Sequence, residues 1–169
     1  MATMNLQQLS EAMRGIDIAL LSTETDGGLI AQRPMSNNGD VDYDGTSRFF
    51  TYESTRTIRD LERNAHVGLG LKNDDDLWVT VVGEGRLIRD RARFAEHWMP
   101  ELDNWFEQGP DTEGCVMIEV EAKRIHYWKG MEQGEIPVRV HPGEGNPSEA
   151  IVQNVAVNGA EEDVEAPTG

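Results

Sequence analysis

Two arginines and three hydroxyl side chains are the residues of this chain best suited to hold a ligand. They lie within residues 29–64, which read LIAQRPMS, NNGDVDYDG and TSRFFTYESTRTIRDLERN. Arg33 and Arg56 stand at the ends of neighbouring elements, the first in an apolar segment that closes on Arg33-Pro34-Met35. Ser54, Thr55 and Thr57 fall where a helix opens and leaves its first amides unpaired. A phosphate monoester asks for fixed cations, hydroxyl donors and a helix N-terminus together. The stretch therefore suggests a site for a small phosphate-bearing molecule. The plainer alternative is that both arginines are surface charges, with Arg56 pairing to Asp60 on its own helix.

Other chemistries find less support. The spacing of Asp40, Asp42, Asp44 and Gly45 copies the front of a calcium loop, but Thr51 stands where the bidentate glutamate belongs, so an acidic hairpin is expected. His66, His97, His126 and His141 are not spaced as metal ligands, and no metal is expected. Cys115 is the single cysteine and lies in the apolar run CVMIEV, where a buried, inert thiol is expected. No nucleophilic serine motif, Walker loop or dinucleotide fingerprint occurs, so no catalytic side chain is assigned. Any catalysis would fall to a cofactor. Trp98, Trp105 and Phe106 form an aromatic group that suits either a core or a dimer surface beside a flat ring.

Helical spacing of Leu6, Leu9 and Met13 ends at Gly15. Strands are expected over residues 16–23, 29–36, 48–52, 66–71, 77–89 and 115–128, the fifth carrying a bulge at Gly83 or Gly85. Helices are expected over 55–63, with Ser54 as N-cap, and over 91–99, capped by Asp90, with a short helical piece at 101–106. Six strands in hairpins with helices inserted between them indicate a mainly β domain with peripheral helices, an antiparallel sheet curled into a barrel. That domain spans residues 1–130, and 131–169 form an acidic Gly/Pro-rich tail, partly disordered, with one apolar patch at 151–157.

The chain has 31 acidic and 15 basic residues, a net charge of −16. Such a field repels nucleic acid and anionic membranes, so neither is an expected partner. A small anion would have to be held by local arginines against it. The N-terminus lacks the pattern of a signal peptide and no apolar run is long enough for a membrane helix, so a cytoplasmic protein is expected.

Taken in order, Arg33-Pro34-Met35, Asp42-Tyr43-Asp44-Gly45, Phe49-Phe50-Thr51, Ser54, Arg56, Gly83, Gly85, Asp90-Arg91, Trp98, Pro100, Trp105-Phe106 and Tyr127-Trp128 resemble a known family. It is the pyridoxamine 5′-phosphate oxidase-like FMN-binding split barrels, in their general stress protein branch. The resemblance covers about residues 5–130. It implies a six-stranded split β-barrel, a homodimer, and two flavin sites at the subunit interface. FMN is the cofactor implied, with FAD as a second candidate. Arg33, Pro34 and Met35 would lie along the ring and ribityl chain, and Phe50 and Thr51 would bring backbone to the ring edge. Ser54, Arg56 and Thr57 would hold the phosphate, and Trp98 would meet the site from the other subunit. The implied function is flavin binding with weak or unidentified redox activity. The alternative is a flavin- or F420-dependent oxidoreductase acting on a small molecule. A lysine is common in the family where Arg56 stands, and arginine keeps the charge. Arg139-Val-His141 spells the substrate-gripping segment of true pyridoxamine phosphate oxidases but lacks its flanks. It is read as coincidence, and vitamin B6 oxidation is not expected.

Overall fold

The computed structural model describes residues 3–138. The expectations placed on the tail at 151–157 and on Arg139 and His141 lie outside the described residues.

Among the described residues there are seven strands: β1 (Ile18–Glu24), β2 (Ile30–Ser36), β3 (Thr46–Tyr52), β4 (His66–Lys72), β5 (Leu77–Ile88), β6 (Cys115–Lys129) and β7 (Glu132–Ile136). They form one antiparallel sheet in the order β2-β1-β4-β5-β6-β3, with β7 beside the second half of β6. The sheet curls into the half-barrel expected of a split barrel. Its two end strands are β2 and β3, which approach each other across the split with one edge each unpaired. The chain therefore leaves the β1–β2 hairpin, crosses the split, and lays β3 on the far side of β6.

Alternation sets the inside. Ala19 and Leu21 of β1, Val67, Leu69 and Leu71 of β4, Leu77, Val79 and Val81 of β5, and Ile125 of β6 all point inward and are buried. Helix α1 (Leu6–Ala12) and helix α2 (Arg56–Arg63) close this core with Leu9, Ile58 and Leu61. Gly83 faces the same way at the expected bulge, where the register of β5 on β6 shifts between Val82 and Gly83. A Cβ there would lie 2.3 Å from the Glu121 carbonyl oxygen, so no larger residue fits the close approach.

A second, smaller core covers the outer face where β3 and β6 meet. Helix α3 (Arg91–His97), capped by Asp90 as expected, packs there with two 3₁₀ turns, Pro100–Asn104 and Gly109–Asp111. Phe50, Phe94, Met99, Leu102, Phe106, Cys115 and Met117 fill it. Burial pushes the Cys115 thiol up to about 11, so it stays protonated and unreactive at neutral pH.

Two sequence expectations are corrected. The sheet does not end at residue 130: Glu132–Ile136 is a strand, and Ile136 is buried in the main core. The composition EQGEI hides it, because the pairing comes from the free edge of β6 and not from strand propensity. Helix α2 starts one residue late, with Thr55 as N-cap in place of Ser54. Both residues carry a hydroxyl, and Thr55 has the extended backbone a cap requires.

Candidate functional site

The split brings most of the singled-out residues to one place. Arg33, Pro34 and Met35 are on β2, Phe50 and Thr51 on β3, and Ser54, Arg56 and Thr57 at the turn into α2. The open edges of β2 and β3 leave backbone N–H and C=O groups without sheet partners. Such groups can read the edge of a flat heterocycle.

The start of α2 is uncommitted. The Thr55 side chain does not cap the helix; its hydroxyl donates to the Tyr52 carbonyl at 2.9 Å and receives the Thr51 hydroxyl at 3.4 Å. The first amides of α2 are thus left without a side-chain acceptor. Ser54 and Arg56 are exposed, and among the described residues Arg56 has no ion pair. Thr57 is turned inward and buried beside Ile58.

Arg33 is differently placed. Register sets it opposite Leu21, hence on the inner face. Its Nη1 donates to the Thr23 hydroxyl at 2.7 Å and the Leu21 carbonyl at 3.3 Å, and its Nη2 lies 3.6 Å from Asp60 Oδ2. Asp60 is 1% exposed and also accepts the hydroxyls of Thr23 and Thr25, at 2.9 and 3.0 Å, with Arg63 at 3.6 Å. Burial lowers the guanidinium pKa, with Asp60 opposing, but arginine stays charged at any ordinary pH. Arg33 and Arg63, not Arg56, are therefore the partners of Asp60. A buried carboxylate with two hydroxyl donors and two flanking guanidiniums is satisfied, and it anchors α2 to β1 and β2. Sequence reasoning missed this role. Its signal was there: Arg33 alternates in phase with Met35, and Asp60 stands three residues after Thr57 and next to Leu61 on the buried side of α2.

Pro34 is exposed on the opposite face of β2, and Met35 packs against the main core. The Phe50 side chain is buried in the second core, edge-on to Phe94 at 5.6 Å and to Trp98 at 4.8 Å, so only its backbone faces the split. Trp98 is held there by an Nε1–H bond to Asp103 at 2.9 Å. It also lines a cleft of about 430 Å³ between the β2–β3 loop, the start of β3 and the end of α3.

A half-barrel split between β2 and β3, with hydroxyls, an arginine and a bare helix start at one end, defines a class, and the chain belongs to it. Residues 4–140 match the family described as pyridoxamine 5′-phosphate oxidase like, so this is a member of that family. The fold is shared with a Clostridium acetobutylicum protein related to general stress protein 26 of the pyridoxinephosphate oxidase family. That match is 19% identical, with a TM-score of 0.68, and covers 77% of this chain and 92% of the other. General stress protein 26 from Bacillus anthracis is 21% identical, with a TM-score of 0.64, and the match covers 78% of this chain and 98% of that one. The general stress FMN/FAD binding protein from Xanthomonas citri is 21% identical with a TM-score of 0.64, over 82% of this chain and 97% of that one. No curated protein matches this chain.

Proposed function

We propose that this protein binds FMN, with FAD as the second candidate, and works as a flavin-dependent redox protein of the general stress branch. The carrying observation is the uncommitted start of α2 beside the open edges of β2 and β3. The phosphate takes the α2 amides, Ser54, Thr55 and the Arg56 guanidinium. Buried Thr57 shapes the floor, and Arg33 acts from behind as a fixed charge. The backbone of Phe50 and Thr51, with Pro34 and Met35, lies along the ring. When bound, a flavin supplies one- and two-electron chemistry that no side chain here offers. The protein's part is to bind the phosphate, orient the ring and limit water around it.

The working unit is a homodimer with the flavin sites at the subunit interface, where Trp98 comes from the second copy. The outer sheet face supports this assembly: Ile18, Leu20, Trp78, Val82 and Trp128 are all exposed on it. A second reading, an F420-dependent reductase, is favoured by an F420 reductase of the same fold. That structure is 20% identical to this chain, with a TM-score of 0.50. Native mass spectrometry of the purified protein tests these readings together. The expected spectrum shows two chains carrying two FMN or FAD. Deazaflavin in their place selects the second reading, and a ligand-free monomer rejects both.

A further inference from the structure

Helix α2 turns one charged stripe to solvent. Arg56, Arg59 and Arg63 follow at the spacing that sets them on one face, and all three are exposed. Thr57, Ile58, Asp60 and Leu61 make the buried side. Arg63 is answered by Asp26 at 2.8 Å and Asp60 at 3.6 Å, and Glu62 is taken by Arg89 at 3.0 Å. Among the described residues Arg56 and Arg59 have no ion pair, although the chain has 31 acidic and only 15 basic residues. The stripe already draws carboxylates. Arg63 first, and then the fields of Arg56 and Arg59, hold the Asp26 carboxyl below its usual range.

Acid that could answer the two free guanidiniums lies further along the chain. Beyond Val138 the single Lys or Arg is Arg139, against Glu144, Glu149, Glu161, Glu162, Asp163 and Glu165. The last four fall together in 161–165, which reads EEDVE. Most of the surface shares their sign and repels them, while the stripe on α2 attracts them.

The distances agree as well. Strands β7 and β3 share one edge of β6, with Ile136 opposite Ile125 and Thr46 opposite Glu121. The described chain therefore stops, at Val138, close to the start of β3. From there β3 runs about 20 Å to Tyr52. The Thr55 N–H then bonds the Tyr52 carbonyl at 3.0 Å and closes the turn into α2. A flexible link as long as 139–160 has a root-mean-square span of about 25 Å. Link and gap match, the condition that gives a tethered group its highest effective concentration, on the order of 1 mM.

We infer that the acidic segment 161–165 of this chain docks on the Arg56–Arg59 stripe of α2 and competes there with an anionic ligand. A carboxylate at Arg56 takes the donors that a phosphate would use, so a phosphate ligand must displace the segment to bind. As a brake on cofactor binding the segment rests on the flavin reading; as a docked segment it does not.

Two measurements on the full chain test the docking. The first compares the parent with a variant carrying Glu161→Gln, Glu162→Gln, Asp163→Asn and Glu165→Gln. FMN should bind the variant about two- to tenfold more tightly at low ionic strength, and the gap should close in about 0.5 M salt. Riboflavin, which has no phosphate, should bind both alike. The second needs no flavin. A nitroxide attached at Thr168→Cys, the native Cys115 being buried, should broaden the amide signals of residues 56–63 in flavin-free protein. Arg59→Gln, the neutralised segment and high salt should each remove the broadening. Broadening in this pattern, in protein with no affinity for FMN, keeps the docked segment and removes the flavin reading. Equal FMN affinity in parent and variant overturns the competition and leaves the flavin reading standing. Amides that do not broaden, or broadening that ignores salt and Arg59→Gln, overturn the docking itself.

Discussion

Arg33 and Arg56 look interchangeable as cations, yet the fold gives them opposite employment. Arg33 is 21% exposed and held by Thr23, Leu21 and Asp60, while Arg56 is exposed and has no ion pair among the described residues. A free guanidinium beside bare helix amides can spend its donors on an anion, whereas one that neutralises a buried carboxylate cannot leave it. Arg56→Ala should therefore weaken FMN about ten- to a hundredfold, since a charge-assisted contact is worth about 1.5–3 kcal/mol. Riboflavin, which lacks the phosphate, should bind the variant as it binds the parent. Equal affinity for FMN before and after the change would move the phosphate elsewhere.

At the scale of elements, the sequence spoke clearly wherever a local rule decided. Asp90 announces α3, and period-two burial announces β4 and β5. It was silent where a distant partner decided. Nothing within EQGEI says that β6 offers it an edge, and adjacent hydroxyls at Ser54 and Thr55 left the start of α2 undecided by one residue. The elements that carry the candidate residues, β2, β3 and the start of α2, were legible, and their geometry was not. Membership of the helix start could be read, while the inward turn of Arg33 and the cleft beside Trp98 depend on how distant elements face each other. Helix α3 carries a further, testable property. The carboxyl of Glu119 is pushed up by burial, but its bonds and charge contacts with Arg48 and Arg93 outweigh that and hold it below the usual range. Burial first, then Arg48, lowers the His97 imidazole from its ordinary 6.5. Both shifts run in the same direction for stability. A depressed carboxyl contributes above its unfolded pKa and loses that contribution as pH falls through the folded one. A depressed histidine costs stability once pH drops below its unfolded value. Thermal unfolding should thus move to lower temperature as pH falls below about 6.5, through His97, and further as it falls below about 4.5, through Glu119. His97→Gln should flatten the part of that fall just below pH 6.5, and an unchanged profile would show that His97 titrates as it does in the unfolded chain.

For the whole molecule, the aromatic group read from the sequence is divided between core and surface. Phe106 is buried in the second core, Trp98 is partly packed against Phe50 and Phe106, and Trp105 is 68% exposed. The outer sheet face is open as well: Trp78 is 53% exposed, with Val82 and Trp128 also on the surface. A stable dimer needs a buried area on the order of 1,600 Å². Trp78→Glu should convert the protein to monomer in light scattering at micromolar concentration, with the far-ultraviolet dichroism retained. A dimer that survives the change would place the interface on another face.

The route of β3 has a consequence in time. β1, β2, β4 and β5 find partners close by in sequence, but Arg48 pairs with Glu119, and nothing nearer can hold β3. A strand that must wait for a distant partner pays its loop-closure entropy late. On a ribosome, β3 has no place to dock until β6 has emerged, so the split acquires its second wall last and a nascent chain has no pocket to fill. In pulse-labelled hydrogen exchange during refolding, the amides of β3 should become protected after those of the β4–β5 hairpin. Simultaneous protection would mean that the barrel closes in one step.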